Sequence, residues 1–101
     1  MSECRGWHEL RDPVLAATEA REAYDAARIR FELGHAVRER REALGMTQDQ
    51  LARATGMRQP AVARFEAGGT MPMPTLPLLE RLAVALGMRL RVGFEPLDRA
   101  S

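Results

Sequence analysis

The sequence has no lysine, a single cysteine and no long run of apolar residues in its 101 positions. One cysteine, Cys4, excludes an intramolecular disulfide, and one Cys with two His does not supply the two ligand pairs typical of a zinc site. No stretch approaches the roughly 18 apolar residues that a membrane span requires. Residues 1–12 are polar and of mixed charge, unlike a secretory signal. We therefore expect one small cytoplasmic domain with no metal and no other cofactor.

The formal net charge is only +1, which by itself indicates no nucleic-acid partner. Its distribution is more informative: residues 1–34 carry five Arg and seven acids, residues 35–71 carry six Arg and four acids, and residues 72–101 carry four Arg and three acids. All 15 basic residues are Arg, a side chain that suits phosphate and guanine contacts better than Lys. The middle of the chain is compatible with DNA binding, although charge alone does not establish it.

Helical spacing of apolar residues predicts two helices in the first half of the chain. Asp12 followed by proline is typical of a helix start, and the pattern beyond it predicts a helix over 13–31. A second helix is predicted over 31–44, where Gly45 ends it. Gly34 either kinks the junction or lies inside one long helix, and the pattern does not decide between these two.

Three further helices are predicted after Gly45. Thr47 begins a capping box that opens a short helix over 48–54, and another short helix follows over 59–67. Thr75 caps a Leu-rich helix, which ends at Gly87.

The period of the pattern then changes from that of a helix to that of a strand. Four apolar residues alternate with polar residues or glycine over 88–94, which predicts a half-buried strand. A single strand needs a partner outside its own fold, either the same strand of a second copy or the edge of a toxin's sheet. Pairing with a second copy needs no additional protein and is preferred, which makes these residues candidate dimer contacts: Met88, Leu90, Val92 and Phe94.

The two short helices carry a motif with three steric requirements. Two helices that meet through a tight turn need a small residue at the crossing, a glycine with positive φ in the turn and a branched apolar residue that anchors the second helix. Ala52, Gly56 and Val62 stand at the required spacing. An ordinary helical hairpin would share some of this pattern. Together with the helix cap and two inward apolar residues, the motif-forming set is Thr47, Leu51, Ala52, Gly56, Val62 and Phe65.

These residues resemble the Xre/Cro/C1-type helix-turn-helix family over about 33–87. The wider layout, with its N-terminal helix and the Arg-Leu-Arg-Val segment after the Leu-rich helix, is similar to the antitoxins of HigBA-type toxin–antitoxin modules. The resemblance implies an all-α fold, a lambda-repressor-like domain of five helices with an N-terminal extension helix and one C-terminal β-strand. It divides the chain into an arm and helix over 1–32, the DNA-binding domain over 33–87, and a strand and tail over 88–101.

The resemblance also implies which side chains meet DNA, at the start of the first motif helix and on the exposed face of the second. The positions of this sequence that match the DNA-contacting positions of the family are Gln48, Arg58, Gln59, Pro60, Ala63 and Arg64. Gln can pair with adenine and Arg with guanine, whereas Pro60 and Ala63 offer only apolar contact. Arg58 and Arg64 could instead be solvated charges, and Arg64 could pair with Glu66.

Residues outside the reading face have different expected roles. The family position of Glu66 suggests an internal salt bridge. Arg38, Arg40 and Arg41 are expected on a solvated face of their helix. His8 and His35 lie far apart in sequence and lack a nucleophile or acidic partner, so we do not expect an enzyme.

The resulting hypothesis is a dimeric, sequence-specific repressor that binds double-stranded operator DNA and does not contact a membrane. In the preferred form it is an antitoxin that neutralises a cognate toxin through the helix over 13–31 and represses its own operon. There are two alternatives: a stand-alone regulator without a toxin, and a protein-interaction adaptor of the same fold. The candidate dimer interface is the Leu-rich helix together with residues 88–94.

Overall fold

The computed structural model describes residues 12–68 and 72–97, so the sequence positions of Cys4 and His8 and the two ends of the chain lie outside the described residues. The described part contains four α-helices and no β-strand. In chain order they are α1 (Pro13–Ala43), α2 (Gln48–Thr55), α3 (Gln59–Ala67) and α4 (Leu76–Ala85).

Helix α1 starts where the sequence indicates but continues through both of the helices predicted there. The Asp12 carboxylate accepts a hydrogen bond of 2.8 Å from the Val14 N–H, and Pro13 occupies the first turn. The helix then continues for 31 residues, about 45 Å at 1.5 Å per residue, until Gly45 takes a φ of 72°. The prediction of five helices is therefore wrong, because 13–31 and 31–44 are one helix with Gly34 inside it.

Gly34 is needed in this helix because α3 crosses it backbone against backbone. A Cβ atom at Gly34 would collide with the carbonyl oxygen of Phe65 and would lie 3.0 Å from that of Glu66. The approach is also close at Gly68, where a Cβ would lie 2.8 Å from the Cα of Phe31. Glycine in a helix interior costs about 1 kcal/mol relative to alanine. Glycine is nevertheless required at this position, because any larger residue would prevent the two helices from approaching so closely.

The core is small and lies where α2, α3 and α4 meet against the second half of α1. Helix α2 packs against both α3 and α4, and α1 packs against α3. Arg40 ties α1 to the end of α4, since its Nε donates a hydrogen bond of 3.0 Å to the Leu86 carbonyl. The buried apolar side chains are Leu51, Ala52, Val62, Phe65, Leu82 and Leu86, with Leu33 and Val37 of α1 partly buried against them.

The predicted strand over 88–94 is also wrong. Residues 88–97 follow α4 without regular secondary structure, and no strand occurs anywhere in the described ranges 12–68 and 72–97. Alternating apolar residues form a strand only when another strand accepts their backbone hydrogen bonds, and residues 12–68 and 72–97 offer none. Of the four candidate dimer residues, Leu90 is half-buried, whereas Met88, Val92 and Phe94 are exposed.

Two negative findings apply to the same described residues. None of the helices there is both long and apolar enough to cross a bilayer. No group of three or more His, Cys, Asp or Glu side chains lies close enough together to hold a metal ion.

We predict that Gly34→Ala destabilises the protein by about 1–3 kcal/mol, because the new methyl group forces α1 away from the end of α3. Equilibrium urea unfolding measures the change. Gly93→Ala is the matched control, since a Cβ there meets nothing within 4 Å. Equal stability of the two variants would show that the close approach at Gly34 does not constrain the fold.

Candidate nucleic-acid interface

A three-residue connection joins α2 to α3 and determines how the second helix leaves the first. Gly56 follows the last residue of α2 with a φ of 75°, in the left-handed region, and its N–H donates to the Ala52 carbonyl. The N–H of Met57 donates to the same oxygen at 3.0 Å. Ala52 and Val62 are 2% and 1% exposed, so the small residue and the branched residue lie inside, where the motif requires them.

The start of α2 is closed by a reciprocal cap. Thr47 Oγ1 accepts a hydrogen bond of 3.0 Å from the Gln50 N–H, while Gln50 Oε1 accepts one of 2.8 Å from the Thr47 N–H. Two backbone donors at the helix start are thereby satisfied within the protein. The cap places Gln48, the first residue of α2, with its side chain facing α3.

A buried ion pair connects α1 to α3 behind this surface. Arg41 Nε lies 2.7 Å from Glu66 Oε2 and its Nη2 lies 3.1 Å from Oε1, a bidentate arrangement, and the two side chains are 11% and 3% exposed. Arg41 Nη1 also donates at 2.7 Å to the carbonyl of Met46, just before α2. Hydrogen bonding to Glu66 raises the pKa of Arg41 above its ordinary value, and burial opposes this rise only in part.

The expectation of an internal salt bridge at Glu66 is therefore confirmed, whereas the placement of Arg41 on a solvated face is wrong. Arg38 does lie on the surface, 3.3 Å from Glu42. The sequence contains a signal for the burial of Arg41, since it follows Leu33 and Val37 at successive intervals of four and so belongs to the inward stripe of α1.

The ion pair continues outward as a chain of hydrogen bonds to the start of α3. Glu66 Oε1 accepts from Gln48 Nε2 at 3.1 Å, and Gln48 Oε1 accepts from Gln59 Nε2 at 2.7 Å. Gln48 is half-buried, and Gln59 is exposed. The exposed amide at the first position of α3 is thus held by the first position of α2, which is held in turn by the buried carboxylate.

The remaining residues of the predicted reading surface lie around this amide. Arg58, Pro60 and Arg64 are exposed, and Ala63 is half-buried. Arg58 has extended backbone and makes no side-chain cap to α3. In the described part of the chain, neither Arg58 nor Arg64 forms an ion pair. Glu66, the proposed alternative partner of Arg64, is instead bound to Arg41 and Gln48.

Two short helices joined by a glycine turn, with the second presenting an exposed amide and two free guanidinium groups, define a helix-turn-helix DNA-binding unit. The chain matches the sequence profile of the helix-turn-helix family over residues 37–92, more than half its length. It is also 33% identical over 86 residues to a Haemophilus influenzae protein named as an uncharacterized HTH-type transcriptional regulator, covering 85% of this chain and 82% of that protein.

The protein therefore belongs to the Xre/Cro/C1-type helix-turn-helix family of DNA-binding transcription regulators. The family predicted from the motif is confirmed. The similarity to HigBA-type antitoxins is a narrower statement that neither comparison addresses.

We predict that Arg41→Met lowers the free energy of unfolding by about 3–5 kcal/mol, because it leaves the Glu66 carboxylate buried without its cation. Urea unfolding measures this loss. Arg38→Met, which removes the exposed ion pair with Glu42, is the matched control and should change stability by less than about 1 kcal/mol.

The double variant Arg41→Met with Glu66→Leu separates the loss of a favourable contact from the cost of burying an unpaired charge. It should be more stable than Arg41→Met alone, since no charge then remains buried. A double variant that loses the sum of both single effects would contradict this account.

Proposed function

We propose that the protein is a sequence-specific transcriptional repressor that places α3 in the major groove of operator DNA. The observation that carries this proposal is the hydrogen bond between Gln48 and Gln59, which orients an exposed amide at the start of α3. The family and the relative from Haemophilus influenzae support regulation of transcription as the role of this binding.

The geometry leaves the Gln59 amide able to read a base. A glutamine amide has two N–H donors and one carbonyl oxygen, and the bond to Gln48 uses one N–H. The second N–H and the oxygen can pair with N7 and the N6 amino group of an adenine. Because Gln48 already restrains the side chain, less conformational entropy is lost when it binds.

Arg58 and Arg64 supply the charge for the same surface. Both are exposed and are without an acidic partner among the described residues, so neither must break an ion pair to reach DNA. Each can bind a phosphate or the edge of a guanine. Pro60 and Ala63 have no polar side-chain atom and contribute only apolar contact, for example to a thymine methyl group.

One such unit contacts too few base pairs to specify a unique operator, so we infer that two copies bind two half-sites. Their centres would lie about one helical turn, or 34 Å, apart on a two-fold symmetric sequence. The sequence-derived candidates for the contact between copies are the Leu-rich helix α4 and the residues Met88, Leu90, Val92 and Phe94.

We expect Gln59→Ala to weaken binding to the native upstream DNA by about 1–3 kcal/mol and to relax specificity at one base pair, because the adenine contact is lost. Gln48→Ala should have a smaller effect in the same direction, since Gln59 remains but is no longer held. Titrations against the native site and single-base variants of it measure both effects.

Two arginine variants serve as comparisons in that experiment. Arg64→Ala should weaken binding to all sequences alike and, where the group holds a phosphate, reduce the salt slope by about one. Arg21→Ala, at an exposed position 13 residues before Gly34 on α1, should change neither the affinity nor the salt slope. If Gln59→Ala and Arg64→Ala both bind like the original protein, α3 is not the recognition helix.

A second candidate function, an antitoxin that neutralises a partner toxin, is favoured by the first half of α1. This half extends beyond the crossing with α3 and presents Tyr24 and Phe31, which are 70% and 60% exposed. Over residues 12–34 it carries three Arg and five acids, which suits a basic partner such as a ribonuclease. A stand-alone regulator would have no such partner.

Deletion of residues 1–28 distinguishes the antitoxin from the stand-alone regulator, because only an antitoxin would lose a neutralising activity. The antitoxin hypothesis predicts that the shortened protein still binds operator DNA but no longer protects cells from the product of the adjacent gene. Growth assays with that gene co-expressed measure protection. Full protection by the shortened protein would exclude residues 1–28, and with them the first half of α1, as the toxin-binding element.

A further inference from the structure

The first half of α1 carries a regular apolar pattern along one side of the helix. Five exposed residues recur at alternating intervals of three and four, namely Ala17, Ala20, Tyr24, Ala27 and Phe31. This spacing is that of the a and d positions of a coiled coil, which form one seam along a helix. Tyr24 and Phe31 are 70% and 60% exposed, so both aromatic side chains are largely open to solvent. We call these five residues the α1 seam.

The α1 seam lies on a different side of the helix from the contacts with the core. Those contacts come from the second half of α1, where Leu33, Val37 and Arg41 face inward. At 3.6 residues per turn, the seam lies about one third of the way around the helix from them. Residues 13–24 are exposed without exception. The domain therefore leaves the seam uncovered, as expected of a helix face that docks against another molecule.

The charged residues beside the α1 seam all have the same sign. In the heptad that the seam defines, the flanking e and g positions over residues 16–30 hold Arg21, Arg28 and Arg30 together with two alanines. The five acids of residues 12–34 all occupy positions further from the seam. Because the e and g residues determine which partner a coiled coil accepts, a helix packed on this seam should carry acids at its own e and g positions.

Two of these arginines are available for contacts with such acids. Arg21 forms no ion pair in the described part of the chain. Arg28 lies 3.1 Å from Glu32 of the same helix. A guanidinium group has five N–H donors, so Arg28 can bind a second carboxylate while it keeps this one.

The same charges disfavour a second copy of α1 as the occupant of the seam. Antiparallel pairing that brings Tyr24 to Ala27 of the second copy also sets Arg21 beside Arg28 of that copy, where like charges repel. Parallel pairing supplies no acid to either flank, because the flanks over residues 16–30 hold only arginine and alanine. The occupant should therefore be a different protein.

From the seam and the sign of its flanks we propose that the first half of α1 binds an α-helix of a partner protein, and that this helix carries Asp or Glu at its e and g positions. The proposal rests on the antitoxin hypothesis for the existence of a partner, and deepens it by naming the element and the charge that make the contact. The acidic balance of residues 12–34 attracts a basic partner as a whole, whereas the flanking residues select the helix that docks.

Two designed peptides of about three heptads each test this chemistry directly. Both have Leu at the a and d positions, and they differ only in carrying Glu or Lys at the e and g positions. Titration of the full chain into each labelled peptide, followed by fluorescence anisotropy, should show that the Glu peptide binds about tenfold or more tightly than the Lys peptide. Equal binding of the two peptides, or no binding of the Glu peptide, would overturn the proposal.

Two exposed positions provide a matched test of the seam. Tyr24→Gln should weaken binding of the Glu peptide about tenfold or more, since the docked helix loses a large apolar contact. Val84→Gln, at a position on α4 that is 77% exposed, should leave this binding unchanged. Gln is a good helix former, so circular dichroism should show that both variants fold. Weaker binding by Val84→Gln but not by Tyr24→Gln would place the docked helix elsewhere and contradict the proposal.

Reversal of one charge tests the flank. Arg21→Glu should weaken binding of the Glu peptide about tenfold and strengthen binding of the Lys peptide, because an acid then replaces a base beside the docked helix. Arg81→Glu makes the same change in net charge at an exposed position of α4 and should leave both titrations unchanged. An equal response to the two variants would show that net charge, and not the seam, controls binding.

Growth assays with the product of the adjacent gene separate failure of the seam from failure of the antitoxin hypothesis. Tyr24→Gln should bind operator DNA like the original protein but lose protection of the cells. Full protection by this variant, with none by the chain that lacks residues 1–28, would overturn the seam and leave the antitoxin hypothesis standing. An original chain that gives no protection would contradict the antitoxin hypothesis, and the peptide titrations would then decide the seam by themselves.

Discussion

Arg41 and Glu66 are buried together, and their bidentate ion pair joins three parts of the molecule at one point. Arg41 comes from α1 and also bonds the carbonyl of Met46 at the entry to α2, while Glu66 lies near the end of α3. Each charge would be costly inside the protein without the other, so the pair constrains how these helices can be arranged. Through Gln48, the same carboxylate restrains the exposed amide that begins α3.

The close crossing of α1 and α3 makes this ion pair possible. Gly34 lets the two backbones approach within a distance that no Cβ atom would permit, and Gly68 repeats the condition at the end of α3. Arg41 lies about two turns further along α1 than Gly34, and the close crossing brings its guanidinium group to Glu66. The long first helix therefore supports α3, and its first half extends away from the core.

Helix α4 contributes to the domain from one side and offers the other side to solvent. Leu82 and Leu86 supply the largest part of the core beyond the two motif helices, while Val84 is among the most exposed aliphatic side chains. In a domain with so few buried residues, the stability available from one chain is modest.

The motif itself could be predicted from local residue chemistry. The Thr47 cap, the small Ala52, the left-handed Gly56 and the branched Val62 each satisfy a steric or hydrogen-bonding requirement within about 16 residues, so their spacing predicted the two helices and the turn. The family followed from the resemblance of these residues to a known motif. The contributions of distant residues could not be read in this way. Gly34 looked like either a kink or a tolerated glycine, and only the passage of α3 across it shows why α1 continues unbroken.

Arg41 looked like one of three surface arginines because its acceptor, Glu66, is 25 residues away in sequence. The alternation over 88–94 has the pattern of a strand, but strands depend on hydrogen bonds to another segment, and the described part of this chain supplies none. Local sequence thus determined the caps, the turn and the inward faces of the short helices. Tertiary structure decided the length of α1, the burial of a charge and the absence of the strand, because each of these depends on which distant groups meet.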